Sequence, residues 1–511
     1  MEFEKGRTCA MDKTNTEINK KLNQTNSIEE FYASTVILLT GATGFVGKAL
    51  LEKLMRVCPR IVAIFILLRS KKNQTVEQRF KQLTDDPVFE FIKAKHGSSI
   101  FNKLHPVQGD ANLPDLGLSL EDRIMLTEKV NIVFHVAATV SFNQSLADAV
   151  NTNAKGTSRV IDLCKELKNI ICFIHVSTAY SNAHLPEIEE KVYTTSWKPS
   201  TVIDILDKQD KNSIALLEES ILKIHPNTYT FTKNLAEQIV FNDCKSFPTA
   251  IVRPSIIGAS LEEPCPGWVD NIQGVTDLGL QIAKGNVNVI IAKKDARLDL
   301  IPVDYVADTI LCAAWHIAIH RDSEVKVYNC TSNADPISWD HLNNIFLECS
   351  VETPCNDITW YPYCKLVESK FVYSILNIFL HVLPALVMDI VLKLRGKKPV
   401  MMKINKRFNQ LLTFLIFFHT HEWTFHRDNV YKMAEDIKVL KDSNKMKLDV
   451  RNINLKEYIT NYQAGVVKYI LKEKPDPIKA ARRLSLFYWI HEITRISGIV
   501  VLLAIISYII Y

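Results

Sequence analysis

The sequence predicts an α/β protein in which helices cover both faces of a doubly wound parallel sheet, followed by a small, mostly helical C-terminal domain and a hydrophobic tail. Three observations support this prediction. Short apolar runs alternate with helical patterns through the first two thirds of the chain, which is typical of parallel sheets. The first run, residues 36–40, breaks into closely spaced glycines and resumes as a helical pattern. Residues 496–511 carry no charged side chain.

Composition limits the class of protein. With 511 residues, of which 47% are hydrophobic, the chain is long enough for two domains or more and can bury a sizeable core. The net charge of +5 is spread thinly, so we expect no nucleic-acid partner. The eleven cysteines form no C-x-x-C pair, and the N-terminus has no apolar signal segment. We therefore expect a cytosolic protein body with reduced thiols, preceded by a loose polar leader at residues 1–33.

The glycine-rich segment after the first strand predicts a dinucleotide site. Gly41 can adopt a backbone angle closed to other residues, Gly44 lets the main chain approach a pyrophosphate, and Gly47 lets the helix pack closely on the strand. The helix N-terminus would offer N–H groups and a partial positive charge to the phosphates. Glycines at this spacing also occur in plain turns. The candidate cofactor-binding residues here are Thr40, Gly41, Thr43, Gly44, Phe45, Val46 and Gly47.

The exit of the second strand indicates which cofactor binds. Residues 61–68 form a continuous apolar run, typical of a buried parallel strand, and Arg69-Ser70-Lys71-Lys72 follows it. A fold that prefers NAD usually has Asp or Glu at this point to hold the ribose hydroxyls. Arg69 and Lys71 instead suit the 2′-phosphate of NADP. The alternative is a solvated basic turn.

Further strand ends add candidate cofactor contacts. The third strand, residues 105–110, ends in a carboxylate that would contact the adenine ring or serve only its own turn. The fourth, residues 131–139, closes in small residues that leave room for the dinucleotide, and an Asn-containing stretch opens the next helix. These candidates are Asp110, Ala137, Ala138 and Asn153. His135 lies inside the apolar fourth strand, and we interpret it as a core residue rather than a catalytic acid or base.

The candidate catalytic residues lie at the end of the fifth strand and on a later helix. Ser177 and Thr178 follow the strand, at the edge where such sheets bind ligands. Tyr229 and Lys233 are four residues apart, which places both on one helix face. A nearby ammonium favours the phenolate and would lower the tyrosine pKa from about 10. Tyr229 would donate a proton to a carbonyl oxygen as hydride arrives, with Lys233 on the nicotinamide ribose and Thr178, or Ser177, on the substrate oxygen.

The remaining pattern predicts the layout of the chain. An insertion at residues 184–226 is expected to cover the substrate. A sixth strand, residues 250–258, would face the nicotinamide through Pro254 and Ile256, and a late strand follows at residues 325–330. The predicted domains are the leader (1–33), an NADP-binding reductase domain (34–355), a helical C-terminal domain (356–475), and a basic stretch with a membrane anchor (476–511).

Several motifs together resemble one known family. They are residues 40–47, 175–182, 226–233 and Pro266-Gly267-Trp268-Val269-Asp270-Asn271, with residues 394–399, 422–425 and Asn429 in the C-terminal part. In these motifs the chain resembles the animal fatty acyl-CoA reductases that form alcohols. These are extended short-chain dehydrogenase/reductases with a male-sterility-type helical domain. The likeness covers roughly residues 35–475.

The resemblance implies a Rossmann sheet and the reduction of a long-chain acyl thioester to a primary alcohol with two NADPH. Hydride adds to the thioester carbonyl, Tyr229 and Thr178 stabilise the oxyanion, CoA thiolate leaves, and the aldehyde is reduced again. The reaction needs no metal, and no cysteine lies where a covalent acyl intermediate is expected. The implied partners are long-chain acyl-CoA and membrane lipid, and a homo-oligomer is left open.

Two apolar segments predict membrane contact. Residues 371–394 would form either a membrane-associated hairpin or an acyl-binding surface. Residues 496–511 are short for a span of about 20 residues; we favour a tail anchor over a buried terminal helix. The cations that precede this tail are Lys479, Arg482, Arg483 and Arg495, which by the positive-inside rule keep the catalytic domain in the cytosol. We expect the membrane of the endoplasmic reticulum or the peroxisome.

Two other functions compete with this interpretation. One is another extended reductase, such as a hydroxysteroid dehydrogenase, a sugar-nucleotide epimerase or an aldehyde-forming acyl-CoA reductase. The other is a membrane-bound lipid carrier or scaffold that keeps the fold without turnover. The Pro-Gly-Trp-Val-Asp-Asn segment and the C-terminal part argue against the dehydrogenase and the epimerase. The intact set of Thr178, Tyr229 and Lys233 argues against the scaffold.

Overall fold

The computed structural model describes residues 25–71, 73–142, 144–208, 211–321, 324–332, 337–451, 453–474 and 476–510. Residues 1–24 of the predicted leader and Lys72 of the basic turn lie outside the described residues. The chain forms two compact units. The first comprises the chain up to Ile257 with Leu300–Ala334 and Trp423–Arg451, and the second comprises Gly258–Asp299, Asp335–Glu422 and Asn452–Tyr511. These units do not follow the order of the chain, so the linear division at residue 355 stays a prediction.

A seven-stranded parallel sheet is the centre of the first unit, which confirms the predicted fold class. The strands are β1 Val36–Thr40, β2 Ala63–Leu68, β3 Leu104–Gln108, β4 Ile132–His135, β5 Cys172–Val176, β6 Thr249–Pro254 and β7 Lys326–Cys330. Their order across the sheet is β7-β6-β5-β4-β1-β2-β3, and every neighbouring pair is parallel. The order reverses direction between β1 and β4, where such sheets bind ligands.

The middle of the sheet is fully buried because helices cover both of its faces. Leu38 of β1 lies beside Phe65 of β2 and Val133 of β4 in the register. All three are buried core residues. The same register places Thr40, the last residue of β1, beside His135, the last residue of β4. The carboxyl ends of the central strands therefore meet at one edge of the sheet, where the predicted site residues follow.

The helices of the first unit connect the strands and include the predicted insertion. They are Ile28–Tyr32, Phe45–Val57, Val76–Thr84, Glu90–His96, Leu120–Lys129, Leu146–Val150, Gly156–Glu166, Pro199–Lys208, Lys211–Leu222, Thr228–Asp243, Val303–His320 and Asp428–Lys438. The insertion at residues 184–226 contains two of them. It also contains the short strand Glu187–Ile188, which pairs in parallel with Thr424–Phe425.

The second unit is mostly helical. Its helices are Val275–Ala283, Trp339–Glu352, Lys370–Asn377, Leu383–Leu394, Met401–Thr420, Leu455–Gly465 and Pro477–Ile510. Two short strand pairs accompany them: Val289–Ile291 with Lys365–Val367, and Arg297–Leu298 with Ile337–Ser338. The predicted basic stretch and hydrophobic tail form one continuous helix, and several side chains beyond residue 500 lie outside the described part of the chain, so the tail anchor stays a prediction.

The Pro-Gly-Trp segment of the second unit packs against the helix Leu455–Gly465. Gly267 has φ +76°, and a Cβ added there would lie 2.0 Å from the carbonyl oxygen of Asn461. A Cβ on Gly465 would lie 1.7 Å from the carbonyl oxygen of Gly267. Glycine is therefore required on both sides of this backbone contact, which gives the motif a structural role.

One helix within the described residues, Lys370–Leu394, is long and apolar enough to cross a membrane. Only 6% of the most apolar stretch of this helix is buried. Phe371, Phe379 and Leu394 are among its exposed side chains. Its single carboxylate, Asp389, accepts hydrogen bonds from the backbone N–H groups of residues 400–402 at 2.8–3.0 Å. Asp389 thereby caps the next helix, Met401–Thr420, and closes a helical hairpin.

Replacing Gly47 by Ala should lower the midpoint of thermal unfolding. A Cβ at this position would lie 2.2 Å from the Gly41 carbonyl oxygen, and backbone cannot move aside as a flexible side chain can, so we expect a cost of about 1–3 kcal/mol. Scanning fluorimetry of the detergent-solubilised chain measures the shift. Gly498→Ala is the control, because its added Cβ meets no described heavy atom within 4 Å beyond its chain neighbours and its own helix backbone. Equal midpoints for the two variants would contradict the close contact.

Candidate active site

The glycine turn brings the carboxyl ends of β1 and β4 into close contact. Gly41 has φ +76°, and a Cβ there would lie 2.6 Å from the backbone nitrogen of Ala137. Thr40 Oγ1 accepts a hydrogen bond from that nitrogen at 3.2 Å, which joins the ends of β1 and β4. Gly44 is the N-cap of the helix Phe45–Val57 and supplies no side-chain cap, and the N-terminal end of a helix favours a bound anion. Any side chain at Gly41 would fill this turn. Its glycine therefore leaves room that fits the pyrophosphate of a dinucleotide.

A buried arginine that sequence analysis missed lies beside this turn. Arg79 Nη2 donates to Thr43 Oγ1 at 3.1 Å, and its Nη1 donates to the carbonyl oxygen of Arg69. Burial, and then the charge of Arg69, lower the pKa of Arg79. The capping box formed by Thr75 and Gln78 starts the helix that carries Arg79. The capping box could have been used to predict the start of this helix from the sequence. It does not indicate which tertiary partner the arginine contacts.

The predicted cations at the exit of β2 are more exposed than Arg79. Arg69 Nη1 lies 3.6 Å from Asp110 Oδ2, with half of the arginine side chain exposed. Lys71 is exposed, and its backbone pairs with Gln74. Asp110 also accepts hydrogen bonds from the backbone and side-chain nitrogens of Asn112 at 3.0 and 2.9 Å. Asp110 therefore stabilises its own turn, and its contact with the adenine ring stays a prediction.

Asn153 connects two parts of the site through its side-chain amide. Its Oδ1 accepts from the backbone N–H of Thr139 at 2.9 Å, and its Nδ2 donates to the Thr139 carbonyl at 3.1 Å and to Thr232 Oγ1 at 3.0 Å. Ala137 and Ala138, just before Thr139, are half-buried. The amide of Asn153 is thus used to tie the end of β4 to the helix Thr228–Asp243.

The proposed catalytic residues come together at the carboxyl end of β5. The side chains of Thr178 and Tyr229 are hydrogen-bonded. Lys233 Nζ donates to the Val176 carbonyl at 2.7 Å, so the lysine is fixed to the last residue of β5. Thr178 Oγ1 also lies 3.5 Å from the Pro254 carbonyl oxygen, at the end of β6, and Ile256 beyond it is half-buried.

The prediction that Lys233 lowers the pKa of Tyr229 is wrong. Burial raises the pKa of Tyr229 to about 12, and the hydrogen bond from Thr178 offsets only part of this rise. Burial also lowers the pKa of Lys233 to about 8, although Glu237 favours its charged form. Burial is the largest cause of both pKa shifts. The phenol therefore keeps its proton at neutral pH.

Ser177 is engaged elsewhere, although it precedes Thr178 directly. Its hydroxyl donates to Glu237 Oε1 at 2.5 Å, and the same carboxylate accepts from Arg253 Nε at 2.9 Å and Nη2 at 2.6 Å. Glu237 and Arg253 are almost completely buried. Of the predicted hydroxyl pair, only Thr178 is bonded to Tyr229, whereas Ser177 belongs to this buried ion pair.

His135 is a core residue, in agreement with the interpretation from sequence. Its Nδ1 lies 2.8 Å from Thr40 Oγ1 and its Nε2 lies 3.1 Å from Thr157 Oγ1. Burial, and then the charge of Lys233, lower the pKa of His135 to about 3. The ring is therefore neutral and fully hydrogen-bonded.

The C-terminal motif at residues 422–425 contributes packing to the first unit. Trp423 Nε1 donates to the Ala183 carbonyl at 3.0 Å, and its ring meets Tyr180 edge-on with 5.1 Å between centroids. Asn429, which follows this motif, donates through Nδ2 to the Val327 carbonyl of β7 at 2.9 Å. These residues hold the segment that follows Thr178 and the edge of the sheet.

Two family models match the chain, and both are described as male sterility protein. The first, an NAD-binding model, matches residues 39–310, and the second, named Sterile, matches residues 380–473. The first match contains the glycine turn, Thr178, Tyr229 and Lys233.

Curated relatives match at moderate identity over most of the chain. Fatty acyl-CoA reductase 1 of Rattus norvegicus is 36% identical over 89% of this chain and 88% of its own length. Fatty acyl-CoA reductase 2 of Mus musculus is 36% identical over the same shares of the two chains.

Solved structures share the fold at low sequence identity. The terminal R domain from the myxalamid PKS-NRPS biosynthetic pathway superposes with a TM-score of 0.60 at 20% identity, covering 87% of this chain and 93% of that one. A nonribosomal peptide synthetase reductase domain from Mycobacterium tuberculosis gives 0.56 at 18% identity, covering 88% and 95%. The matched models, the relatives and the fold agree, and the chain belongs to the fatty acyl-CoA reductase family of oxidoreductases that use a nicotinamide cofactor.

Proposed function

We propose that this enzyme reduces a long-chain acyl-CoA to the primary alcohol, using two NADPH and releasing CoA. The observation that carries the proposal is the hydrogen-bonded pair of Thr178 and Tyr229, with Lys233 held by the end of β5. Two hydroxyl donors beside the sheet edge that binds dinucleotides are what the reduction of a carbonyl requires. The names of the relatives supply the substrate class.

In the first reduction, the two hydroxyls act on the thioester carbonyl oxygen. The bound nicotinamide supplies the hydride. Tyr229 Oη and Thr178 Oγ1 donate hydrogen bonds to the oxygen as negative charge develops on it, and a donor of this kind contributes about 10²–10³-fold to the rate. The carbonyl re-forms when the carbon–sulfur bond breaks, and CoA leaves as thiolate. The products of this step are the aldehyde, CoA and the oxidised cofactor.

In the second reduction, Tyr229 must transfer its proton and not only share it. Hydride addition to the aldehyde gives an alkoxide, which takes the phenolic proton and becomes the alcohol. The high pKa of Tyr229 keeps this proton in place until the alkoxide forms. Lys233, next to the resulting phenolate, stabilises its charge before solvent returns the proton.

The proposed preference for NADPH rests on Arg69 and Arg79. Arg79 is buried against the glycine turn through Thr43, and Arg69 is half exposed at the end of β2. A guanidinium at each position suits a phosphate, because Arg donates in a planar fork that matches phosphate oxygens. We assign the main contact to Arg69 and a supporting one to Arg79.

The helical hairpin is proposed to lie on a membrane with its apolar side chains in the lipid. Phe371 and Phe379 are largely exposed to solvent in the first arm. The turn that follows Leu394 contains Arg395, Lys397 and Lys398, which suit anionic headgroups. Such a surface would bring the enzyme to its amphiphilic substrate. The catalytic unit is proposed to face the cytosol at the endoplasmic reticulum or the peroxisome.

Tyr229→Phe should reduce acyl-CoA-dependent NADPH oxidation by about 10³-fold, because it removes a proton donor and one oxyanion contact. Stopped-flow or steady-state absorbance at the NADPH band measures the rate, and mass analysis identifies the alcohol. Cofactor binding, followed by NADPH fluorescence, should stay unchanged. Tyr431→Phe is the matched control, since Tyr431 is exposed. Undiminished turnover in Tyr229→Phe would exclude this mechanism, and no turnover in the wild type would favour the scaffold.

Arg69→Ala should weaken NADPH binding about tenfold or more and leave NADH binding unchanged, because a charge-assisted hydrogen bond contributes about 1.5–3 kcal/mol. Arg79→Ala should also weaken NADPH binding more than NADH binding. The difference between the two cofactors should be smaller than for Arg69→Ala, because Arg79 also supports Thr43. Fluorescence titration gives Kd for each cofactor without turnover. Arg123→Ala serves as the control, because Arg123 pairs with Glu166 on the surface. Equal losses for NADH and NADPH in Arg69→Ala would contradict a phosphate contact.

Paired substitutions should separate the hairpin from the tail as membrane contacts. Phe371→Glu with Phe379→Glu should weaken flotation of the full chain with phosphatidylcholine vesicles containing phosphatidylserine. Val500→Glu with Leu503→Glu tests the tail in the same way, and all four changes together should release the protein. Flotation that depends on the tail pair alone would leave the hairpin without this role.

A further inference from the structure

We infer that this protein binds a divalent transition-metal ion, with Zn²⁺ as the best match, at a site formed by His316, His320 and Asp436. The site belongs to the first unit and uses none of the residues proposed for the reduction. The ligand atoms of these three residues all lie within 4.8 Å of one another. Two imidazoles and one carboxylate are a common ligand set for zinc sites that keep one open position.

Helix geometry places the three ligands around one point. His316 and His320 are one turn apart on the helix Val303–His320, so they share a face. Asp436 lies on the helix Asp428–Lys438, and its Oδ2 is 3.1 Å from His316 Nε2 and 3.4 Å from His320 Nε2. In a tetrahedral zinc site with bonds of about 2.0–2.1 Å, neighbouring ligand atoms are about 3.3 Å apart. Both measured edges match this spacing.

The hydrogen bonds of the imidazoles point to a missing cation. His320 Nδ1 lies 2.9 Å from the carbonyl oxygen of His316, and since a carbonyl only accepts, this Nδ1 carries the proton. In the neutral ring, Nε2 then has a lone pair that faces the carboxylate oxygen at 3.4 Å. Two lone pairs at this distance repel each other. A metal ion between them removes the repulsion, and a second proton on His320 is the competing explanation.

His316 has the surroundings of a metal ligand. Its Nδ1 lies 2.7 Å from the hydroxyl of Tyr328 on β7, an outer partner of the kind that orients a metal-binding ring. Its Nε2 is hydrogen-bonded to Asp436 Oδ2 at 3.1 Å, and a bound metal ion would replace the proton of this hydrogen bond.

The ion would fasten the segment Trp423–Arg451 to the sheet. His316 and His320 belong to a helix that packs on β5, β6 and β7, and Asp436 is supplied by the later segment. Three protein ligands leave one position for water, and half-exposed His320 and Asp436 leave a route for exchange. Lys432, one turn before Asp436, adds a nearby positive charge, so we expect reversible rather than permanent binding.

Zinc binding to the full chain tests the inference directly. The protein is purified in detergent without a polyhistidine tag, treated with chelator, dialysed against Zn²⁺ and analysed by inductively coupled plasma mass spectrometry. The wild type should retain one Zn²⁺ per chain that is absent from His320→Ala and from the isosteric Asp436→Asn. His96→Ala, which removes an exposed histidine, should retain it. Co²⁺ in place of Zn²⁺ should give visible d–d absorption only where the three ligands are intact.

Thermal unfolding supplies an independent readout. A hundredfold excess of Zn²⁺ over its Kd should raise the wild-type midpoint by about 2–3 °C and leave Asp436→Asn unchanged, while acyl-CoA reduction is the same in both. Wild-type protein that retains no Zn²⁺ would overturn the inference in favour of a protonated His320. Equal retention by wild type, His320→Ala and Asp436→Asn would overturn it as well, because the zinc would then lie elsewhere. Circular dichroism confirms that the variants are folded.

Discussion

The ion pair between Arg253 and Glu237 is the interaction on which the geometry of the active site depends. Both side chains are buried in the first unit, and two hydrogen bonds join them. Taking two charges out of water is costly unless every polar group finds a partner. Here Arg253 also donates to the carbonyl oxygens of Glu189 and Lys191, and Glu237 accepts from Ser177. The pair is therefore extensively hydrogen-bonded and connects β5, β6, the insertion and the helix Thr228–Asp243.

The position of Glu237 explains why this pair matters for chemistry. Tyr229, Lys233 and Glu237 follow one another at intervals of four residues, so they form one stripe along the helix Thr228–Asp243. Fixing Glu237 against β6 sets the rotation of the helix, and this rotation directs Tyr229 towards Thr178. The network also sets the electrostatics, because Glu237 favours the charged form of Lys233 while burial opposes it. His135 is neutral because burial lowers its pKa, whereas Lys233 Nζ is held 2.7 Å from the Val176 carbonyl oxygen at the end of β5.

Much of this arrangement could be predicted from sequence because it depends on local patterns. The seven strands, the glycine turn, the Tyr229–Lys233 pair and the core role of His135 all follow from periodicity and spacing. The features that escaped prediction depend on tertiary contacts. Arg79 meets the glycine turn only after its helix packs, and Ser177 donates to a carboxylate sixty residues later in the chain. The pKa of Tyr229 rises because the phenol is buried. The role of Gly267 likewise required its contact with the helix Leu455–Gly465.

The return of Trp423–Arg451 to the first unit has a consequence for how the protein is made. Asn429 bonds to β7, Asp442 accepts from the backbone of Ile28 at 2.9 Å, and Lys447 donates its backbone N–H to Asp308 at 2.8 Å. The sheet is synthesised more than ninety residues before this segment, so a nascent chain on the ribosome must hold an incomplete nucleotide-binding unit while the helical hairpin emerges. Co-translational assembly of this enzyme therefore ends late, and the hairpin can reach a membrane before the reductase has finished folding.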